Sequence, residues 1–219
     1  MLLSSLFVNP KSEYTRNSPF YRWLLHSASW AAIKLLGIRL QVSGMEKVPK
    51  DTRFLLVSNH RSNYDPILTW QAFRDYDLAF VSKPENFKIP IFGRIIRKCC
   101  FLPIDREDPR KAILTIQKAA DLIQADTVSV GIYPEGTRNR EREMLPFHNG
   151  VFKIAKKAQV PIVIVSVCGT DQICHRLFRG AQVQLKVLEV IPASMVAQEK
   201  TAQLGSIVRW ILEHEQGRL

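Results

Sequence analysis

The sequence predicts an α/β fold, with a mostly parallel central sheet flanked by helices. Short apolar runs typical of buried strands alternate with longer segments of helical periodicity from residue 38 onward. The connections between them are short, which favours one domain over residues 38–219 that follows a helical segment over residues 1–37. A chain of 219 residues is long enough to bury a full hydrophobic core.

A helix is predicted first over residues 19–37, between a proline and a glycine. At helical spacing, Arg22, His26 and Ser29 form a narrow polar strip, and most of the remaining circumference is apolar and includes two tryptophans. Such a helix can lie in a membrane interface with its aromatic side chains at headgroup depth. Docking on the protein's own core is the alternative, but we expect an amphipathic membrane-docking segment.

The remaining elements follow from alternating apolar and helical patterns. Strands are predicted over residues 38–42, 54–58, 78–82, 99–103, 128–133, 162–167 and 183–190, and helices over residues 66–74, 89–97, 109–125, 150–159 and 201–213. The carboxyl ends of parallel strands meet at one edge of a sheet, where α/β proteins place their chemistry. Polar residues that directly follow a predicted strand are therefore the candidates for a site.

Composition limits the partners that we expect. The net charge is +11 and the isoelectric point about 9.7, which favours an anionic partner such as nucleic acid, a membrane surface or an acidic protein. Four cysteines lack the spacing of a metal site, so we expect reduced thiols, a cytosolic protein and neither metal nor cofactor. Residues 1–8 lack the basic start of a signal peptide, and no apolar run is long enough for a membrane span.

The first candidate site directly follows the predicted strand 54–58. His60 stands five positions before Asp65, and a histidine held by a carboxylate can take a proton from a hydroxyl near neutral pH. The two side chains can meet only if His60 lies in a turn and the chain curls back. Since Asp65 precedes a proline, a plain helix N-cap with His60 as a loop residue is the alternative.

A second candidate site follows the predicted strand 128–133. Gly136 lets the backbone approach a ligand closely, Thr137 offers a hydroxyl, and Arg138 offers a planar fork suited to phosphate. Glu135 can orient an arginine or accept a hydrogen bond from a substrate hydroxyl. An ordinary polar turn with a surface ion pair is the alternative.

Two further cations stand at strand ends, and one apolar strand is a candidate pocket wall. Arg106 follows the predicted strand 99–103, and Lys83 follows the predicted strand 78–82, so both are candidates for binding phosphate. The alternative for Arg106 is a surface Asp-Arg dipeptide. The apolar stretch 160–165 is a core strand by default, although it would also suit the wall of an acyl-chain pocket.

These stretches, in this order, resemble the glycerolipid acyltransferase family, whose bacterial members include 1-acyl-glycerol-3-phosphate acyltransferases. The family's motifs are matched by Asn59, His60 and Asp65 (N-H-x4-D), by Gly93, Phe101, Asp105 and Arg106, by Tyr133 to Arg138 ([FY]-P-E-G-T-R), and by Val160 to Ile162 (V-P-I). The resemblance covers residues 38–190. Ile164 departs from it, because many members have proline there.

The resemblance implies direct acyl transfer without an acyl-enzyme. His60 would be the general base and Asp65 would orient it. Lys83, Arg106 and Arg138 would hold the acceptor's phosphate, in a pocket that Glu135, Gly136 and Thr137 shape. A backbone N–H would stabilise the oxyanion.

The resemblance also implies the substrates and the location. An acyl-CoA or acyl carrier protein would donate, and lysophosphatidic acid would accept and become phosphatidic acid. We expect the protein on the cytoplasmic face of the cell membrane, on an anionic surface, with no nucleic acid bound. The same chemistry on glycerol-3-phosphate or another lysolipid remains open, as does a non-catalytic basic module that binds membranes or nucleic acid.

Overall fold

A seven-stranded sheet forms the centre of the protein in a computed structural model, which describes residues 1–139, 141, 143–176 and 180–216. The strands lie in the order β1-β7-β6-β2-β5-β3-β4, and every neighbouring pair is parallel except the antiparallel β6–β7. Their bounds are β1 Arg39–Ser43, β2 Leu55–Ser58, β3 Leu78–Ser82, β4 Leu102–Pro103, β5 Ser129–Ile132, β6 Ile162–Cys168 and β7 Gln182–Ile191. The predicted α/β fold with a mostly parallel sheet is confirmed.

Helices cover both faces of this sheet. Their bounds are α1 Leu2–Ser5, α2 Pro19–Leu35, α3 Asp65–Ala72, α4 Phe92–Lys98, α5 Pro109–Gln124, α6 Lys153–Ala158, α7 Ala193–Gln198 and α8 Thr201–Gln216. Side chains of β2 alternate between two cores: Leu56 packs with α2, α3 and α4, whereas Leu55 and Val57 pack with α5, α6 and α8. This alternation is why the strand is apolar at every position.

The predicted strand 99–103 is wrong over its first half. Helix α4 continues to Lys98, and Cys100 adopts a left-handed conformation with φ of 62°, so the chain turns before it reaches the sheet. Only Leu102 and Pro103 pair with β3. Periodicity cannot separate a short buried strand from the buried end of a helix, because both are apolar throughout.

Several helix boundaries also differ from the predictions. The predicted helix 89–97 begins at Phe92, because Ile91 has a φ of 64° and interrupts any helix that starts earlier. The predicted helix 150–159 is a 3₁₀ turn over Asn149–Phe152 followed by α6. Helices α1 and α7 were not predicted, since four to six residues carry too little periodicity.

Helix α2 attaches to the rest of the protein through its polar strip. Arg22 donates from Nη1 to the carbonyl oxygen of Leu78 at 2.9 Å, and its guanidinium carbon lies 4.6 Å from the centre of the Trp70 ring. Trp23 and Trp30, which lie about a quarter turn round the helix from this strip, are 62% and 54% exposed. The helix therefore docks on the protein's own core and still presents its aromatic face outward. Within the described residues, no helix is long and apolar enough to cross a membrane.

Candidate active site

The candidate residues lie at one edge of the sheet. Strands β2, β5, β3 and β4 are parallel neighbours, so the loops after them begin side by side. These loops carry His60, Lys83 and Arg106, together with the segment from Tyr133 to Arg138. Residues far apart in sequence are brought to one edge because each lies in a loop that follows a strand of the same sheet.

His60 and Asp65 form a hydrogen-bonded pair. The imidazole Nδ1 lies 2.8 Å from Oδ2 of Asp65, and the same oxygen accepts the backbone N–H groups of Arg61 at 2.6 Å and Ser62 at 2.7 Å. A carboxylate that accepts these bonds fixes the proton of a neutral imidazole on Nδ1. Nε2 is then the basic nitrogen, available to a ligand.

The alternative in which Asp65 is a plain N-cap is wrong. Helix α3 begins at Asp65 itself, and its cap position is Tyr64, which makes no side-chain capping bond. The carboxylate instead turns back over the loop that precedes the helix, and it is fully buried. This is the curled geometry that the pairing with His60 requires.

Thr170 also contacts the His60–Asp65 pair, although the sequence did not indicate it as a candidate. Its hydroxyl donates to Oδ1 of Asp65 at 2.5 Å, and its side chain is completely buried. It follows β6, which is the parallel neighbour of β2. The only sequence signal was its place just after a predicted strand, a signal it shares with many polar residues.

The Tyr133 ring supports the imidazole from one side. The ring centroids of His60 and Tyr133 are 4.3 Å apart with an interplanar angle of 20°. Burial, and secondarily the charge of Asp65, raises the pKa of the Tyr133 phenol well above its usual value, so the ring stays neutral. Stacking on one face and a hydrogen bond at Nδ1 together fix the orientation of His60.

Glu135 lies behind the site, which corrects the expectation that it contacts substrate. Its Oε1 accepts the backbone N–H of His60 at 3.2 Å, while Oε2 accepts from the side chain of Asn139 at 3.0 Å and the backbone of Leu145 at 3.1 Å. The carboxylate is buried and saturated by protein donors. It ties the loop after β5 to the loop that carries the histidine.

Gly136 and Thr137, which follow Glu135 in the loop after β5, differ in their surroundings. Gly136 has a φ of +70°, and a Cβ there would lie 2.8 Å from the ring of His148, so the turn requires glycine. Thr137 is exposed and lines neither of the two cavities beside the sheet edge. The neighbour that requires glycine at this position is therefore the His148 ring, whereas the prediction concerned a ligand, and Thr137 lies on the surface.

A cavity of about 460 Å³ opens beside the imidazole on the face covered by α2, α3 and α4. We call it the α2-side cavity. Its lining includes His60 and three cations, Lys83, Arg106 and Arg138, together with apolar side chains such as Leu25, Trp70, Ile96 and Phe101. A histidine, three cations and an apolar lining in one cavity are groups that can bind an amphiphile with an anionic head.

The remaining features considered in the sequence analysis do not contribute to this cavity. The apolar stretch 160–165 lines neither cavity and is buried core. The four cysteines are free, and burial raises the pKa of Cys99 to about 12 and that of Cys100 to about 11, which leaves both as thiols. Among the described residues, no cluster of histidine, cysteine and carboxylate side chains is placed to hold a metal ion.

The fold and the site define an α/β protein with a hydrogen-bonded histidine–aspartate pair beside a cavity that three cations line. The family model described as Acyltransferase matches residues 39–168, which is more than half of the chain. The chain belongs to the acyltransferase family. The matched region contains every strand that contributes His60, Lys83, Arg106 or Arg138 to the cavity.

Characterised relatives carry a more specific name. The chain is 33% identical over 178 residues to human 1-acyl-sn-glycerol-3-phosphate acyltransferase alpha, covering 80% of this chain and 62% of the human protein. It is 33% identical over 146 residues to chloroplastic 1-acyl-sn-glycerol-3-phosphate acyltransferase BAT2 of Brassica napus, covering 66% and 42%. The chain thus spans about two fifths to three fifths of the length of these relatives.

A solved structure shares the fold. The crystal structure of the 1-acyl-sn-glycerophosphate acyltransferase PlsC from Thermotoga maritima superposes with a TM-score of 0.76 at 25% identity. The match covers 90% of this chain and 78% of that one, so it includes most of both the helices and the sheet.

Proposed function

We propose that this protein transfers a fatty acyl group from an acyl thioester to the free hydroxyl of 1-acyl-sn-glycerol-3-phosphate, giving phosphatidic acid for phospholipid synthesis. One observation carries the proposal: the imidazole of His60, oriented by Asp65, lines the same cavity as three cations. The names of the relatives support the acceptor.

The reaction follows from the geometry of the pair. Nε2 of His60 takes the proton of the acceptor hydroxyl while the oxygen attacks the thioester carbonyl and the new C–O bond forms. The tetrahedral intermediate then breaks its C–S bond, and the imidazolium returns its proton to the departing thiolate. Asp65 stabilises the imidazolium and keeps its Nδ1 proton in place.

The cations bind the acceptor's phosphate. Lys83, Arg106 and Arg138 come from the loops after β3, β4 and β5, and each lines the α2-side cavity. A phosphate held there carries charge that three cations offset, and Arg side chains suit its oxygens because their fork can bind two at once. Glu135 fixes the loop that carries Arg138 from behind, and Gly136 gives that loop its left-handed turn.

The N-terminal segment, residues 1–37, docks the enzyme on the membrane that holds the acceptor. Exposed apolar side chains concentrate there: Leu2, Leu3, Leu6, Phe7, Phe20, Trp23, Trp30 and Leu35. The net charge of +11 attracts an anionic surface, which fits the cytoplasmic face of a cell membrane. Residues 38–219 form the catalytic domain, and the donor is an acyl thioester of coenzyme A or of acyl carrier protein.

The experiment is an acceptor panel assayed with both donors. The purified protein should acylate 1-acyl-sn-glycerol-3-phosphate faster than glycerol-3-phosphate, monoacylglycerol or lysophosphatidylcholine. The variant His60→Ala should lose about 10²–10⁴ of the turnover number because the general base is gone. The matched control is His214→Ala, since His214 lies on α8 and lines neither cavity.

Two outcomes count against the proposal. Near-normal turnover of the His60→Ala variant would show that His60 is not the general base. Preference for an acceptor without phosphate would show that 1-acyl-sn-glycerol-3-phosphate is not the substrate. The proposed acyl-transfer chemistry would be unaffected.

A further inference from the structure

The loop after β5 holds the backbone of His60 from both sides. Asn139 is buried, and its backbone N–H donates to the carbonyl oxygen of His60 at 2.7 Å. The backbone N–H of His60 donates to Oε1 of Glu135 at 3.2 Å. Both polar groups of the His60 backbone are therefore bound by residues of a single loop, which also carries Arg138.

The side chain of Asn139 is engaged entirely within the protein. Its Nδ2 donates to Oε2 of Glu135 at 3.0 Å and to the carbonyl oxygen of Glu143 at 2.6 Å, while its Oδ1 accepts the backbone N–H of Glu141 at 2.9 Å. A primary amide has two donor hydrogens, and both are used here. The amide has no donor left for a substrate, so Asn139 can influence a reaction only through the residues that it holds.

Arg138, the neighbour of Asn139, has no such support for its own side chain. It lines the α2-side cavity, and among the described residues no ion pair or hydrogen bond holds its guanidinium. The bond between Glu135 and Asn139 closes the turn over residues 135–139 that presents it. The backbone on either side therefore sets where Arg138 stands relative to His60.

We propose that Asn139 is a positioning residue that keeps Arg138 and His60 in a fixed relation, so that an acceptor held by its phosphate at Arg138 presents its hydroxyl to Nε2 of His60. This inference rests on the proposed function, in which Arg138 binds the phosphate and His60 takes the proton. A displacement of about 1 Å can cost about 10²-fold in rate, because the reacting atoms must meet in one geometry. The phosphate then contributes to turnover as well as to binding.

The test compares acceptors with and without a phosphate. The measured quantity is the ratio of kcat/KM for 1-acyl-sn-glycerol-3-phosphate to kcat/KM for monoacylglycerol, with palmitoyl-CoA as the donor for both. A loss of folded protein lowers the two values by the same factor and leaves their ratio unchanged. The ratio therefore responds to positioning and not to stability.

Two variants remove the hydrogen bond from Asn139 to Glu135 in different ways. Asn139→Ala deletes the amide, whereas Asn139→Asp keeps its size but places a second carboxylate against Glu135. In both variants the ratio should fall at least about tenfold, because monoacylglycerol has no phosphate and does not depend on where Arg138 stands. Most of the fall should be in kcat for the phosphate-bearing acceptor, since the guanidinium is still present to bind it. If one variant does not fold, the other provides the measurement.

Arg138→Ala supplies a second background for the same comparison. Loss of the guanidinium should lower the ratio by itself, mainly through a higher KM for the phosphate-bearing acceptor. Adding Asn139→Ala should then lower the ratio no further, because two changes that act on one interaction are not additive. Multiplied losses in the double variant would show that Asn139 does not act through Arg138 and would overturn the inference.

Asn17→Ala is the matched control. The Asn17 side chain also makes several hydrogen bonds: it donates to Asp77 at 3.0 Å and accepts from Arg22 at 3.0 Å and 2.9 Å. Asp77 directly precedes β3, so these bonds lie at the opposite edge of the sheet from His60. The control should lose stability and keep the ratio of the unmodified protein. An equal fall of its ratio would show that any destabilisation lowers the ratio, and would overturn the inference.

The outcomes separate the two proposals. If the unmodified protein prefers the phosphate-bearing acceptor and both Asn139 variants keep that preference in full, the inference is overturned and the proposed function stands. If the unmodified protein shows no such preference, the proposed substrate fails and the inference fails with it.

Discussion

At the scale of single residues, the site depends on one buried carboxylate. Asp65 accepts four hydrogen bonds: from the imidazole, from the N–H groups of Arg61 and Ser62, and from the hydroxyl of Thr170. Hydrogen bonds to a charged acceptor are stronger than neutral ones, and a lost partner leaves a buried group unsatisfied. The position of His60 therefore depends on the residues that hold Asp65 in place.

Thr170 tests this dependence. In Thr170→Val the hydroxyl is lost at nearly constant volume, so the free energy of unfolding should fall by about 1–3 kcal/mol and turnover should fall with it. Thr170→Ser keeps the hydroxyl and should restore turnover, which a purely space-filling role would not predict. Urea denaturation and steady-state kinetics measure both effects. Equal turnover in the valine and serine variants would exclude a positioning role.

At the scale of elements, α2 connects the exposed apolar surface to the site. Its polar strip packs on α3: Arg22 lies over the Trp70 ring, and the His26 ring stacks on Trp70 with centroids 4.5 Å apart. Trp70, Leu25 and Ser29 in turn line the α2-side cavity. One helix thus forms both the outer aromatic face and part of the cavity wall.

Docking of α2 should weaken in mild acid. Burial first, and the charge of Arg22 second, lowers the pKa of His26 from 6.5 to about 4, with Arg74 and Asp75 as further charged neighbours. The unfolded chain therefore binds more protons in this range, so the stability present above pH 6.5 is lost as the pH falls towards about 4.

The variant His26→Phe isolates this effect, because phenylalanine keeps an aromatic ring beside Trp70 and does not titrate. Between about pH 7 and pH 5, the free energy of unfolding should fall more for the unmodified protein than for the variant. Urea denaturation at both pH values measures the difference. Equal losses in the two proteins would show that His26 is not the titrating group.

At the scale of the whole molecule, the exposed large apolar side chains are unevenly distributed over the surface. The N-terminal 37 residues carry most of the exposed large apolar side chains among the described residues, although they are a small part of the chain. The opposite layer of helices exposes Trp210 on α8. An exposed apolar patch on one side of a basic protein is typical of a surface that binds membranes.

Two tryptophans should account for much of the membrane affinity. The double variant Trp23→Ser, Trp30→Ser should bind vesicles containing anionic lipid at least about tenfold more weakly, because each buried large apolar side chain contributes roughly 1.5–3 kcal/mol. Trp210→Ser is the matched control, since Trp210 is 59% exposed, between Trp23 and Trp30 in rank. Cosedimentation with vesicles measures binding. Equal loss in the control would indicate non-specific adsorption instead of docking through α2.

Local sequence patterns predicted many of the strands and helices correctly. Strands β2 and β5 were predicted to within two residues, because continuous apolar runs before polar loops mark buried parallel strands. The prediction of a strand from Cys99 was wrong, because an apolar run does not reveal the left-handed conformation of Cys100. His60, Lys83 and Arg106 were proposed as site residues because each stands within three positions of a strand end, whereas Asp65 was proposed from its spacing to His60 and Arg138 from its place in the loop after β5.

The sequence by itself determined the α/β class, the succession of strands and helices along the chain and the polar residues that follow the strands, since burial and local conformation leave a periodic pattern in the chain. Only the tertiary structure decided which strand ends are neighbours, and with them the inward turn of Glu135, the hydroxyl of Thr170 beside Asp65, and the α2-side cavity. The physical reason is that strand pairing and buried hydrogen bonds join residues about a hundred positions apart, such as Asp65 and Thr170, and no local pattern records the partner.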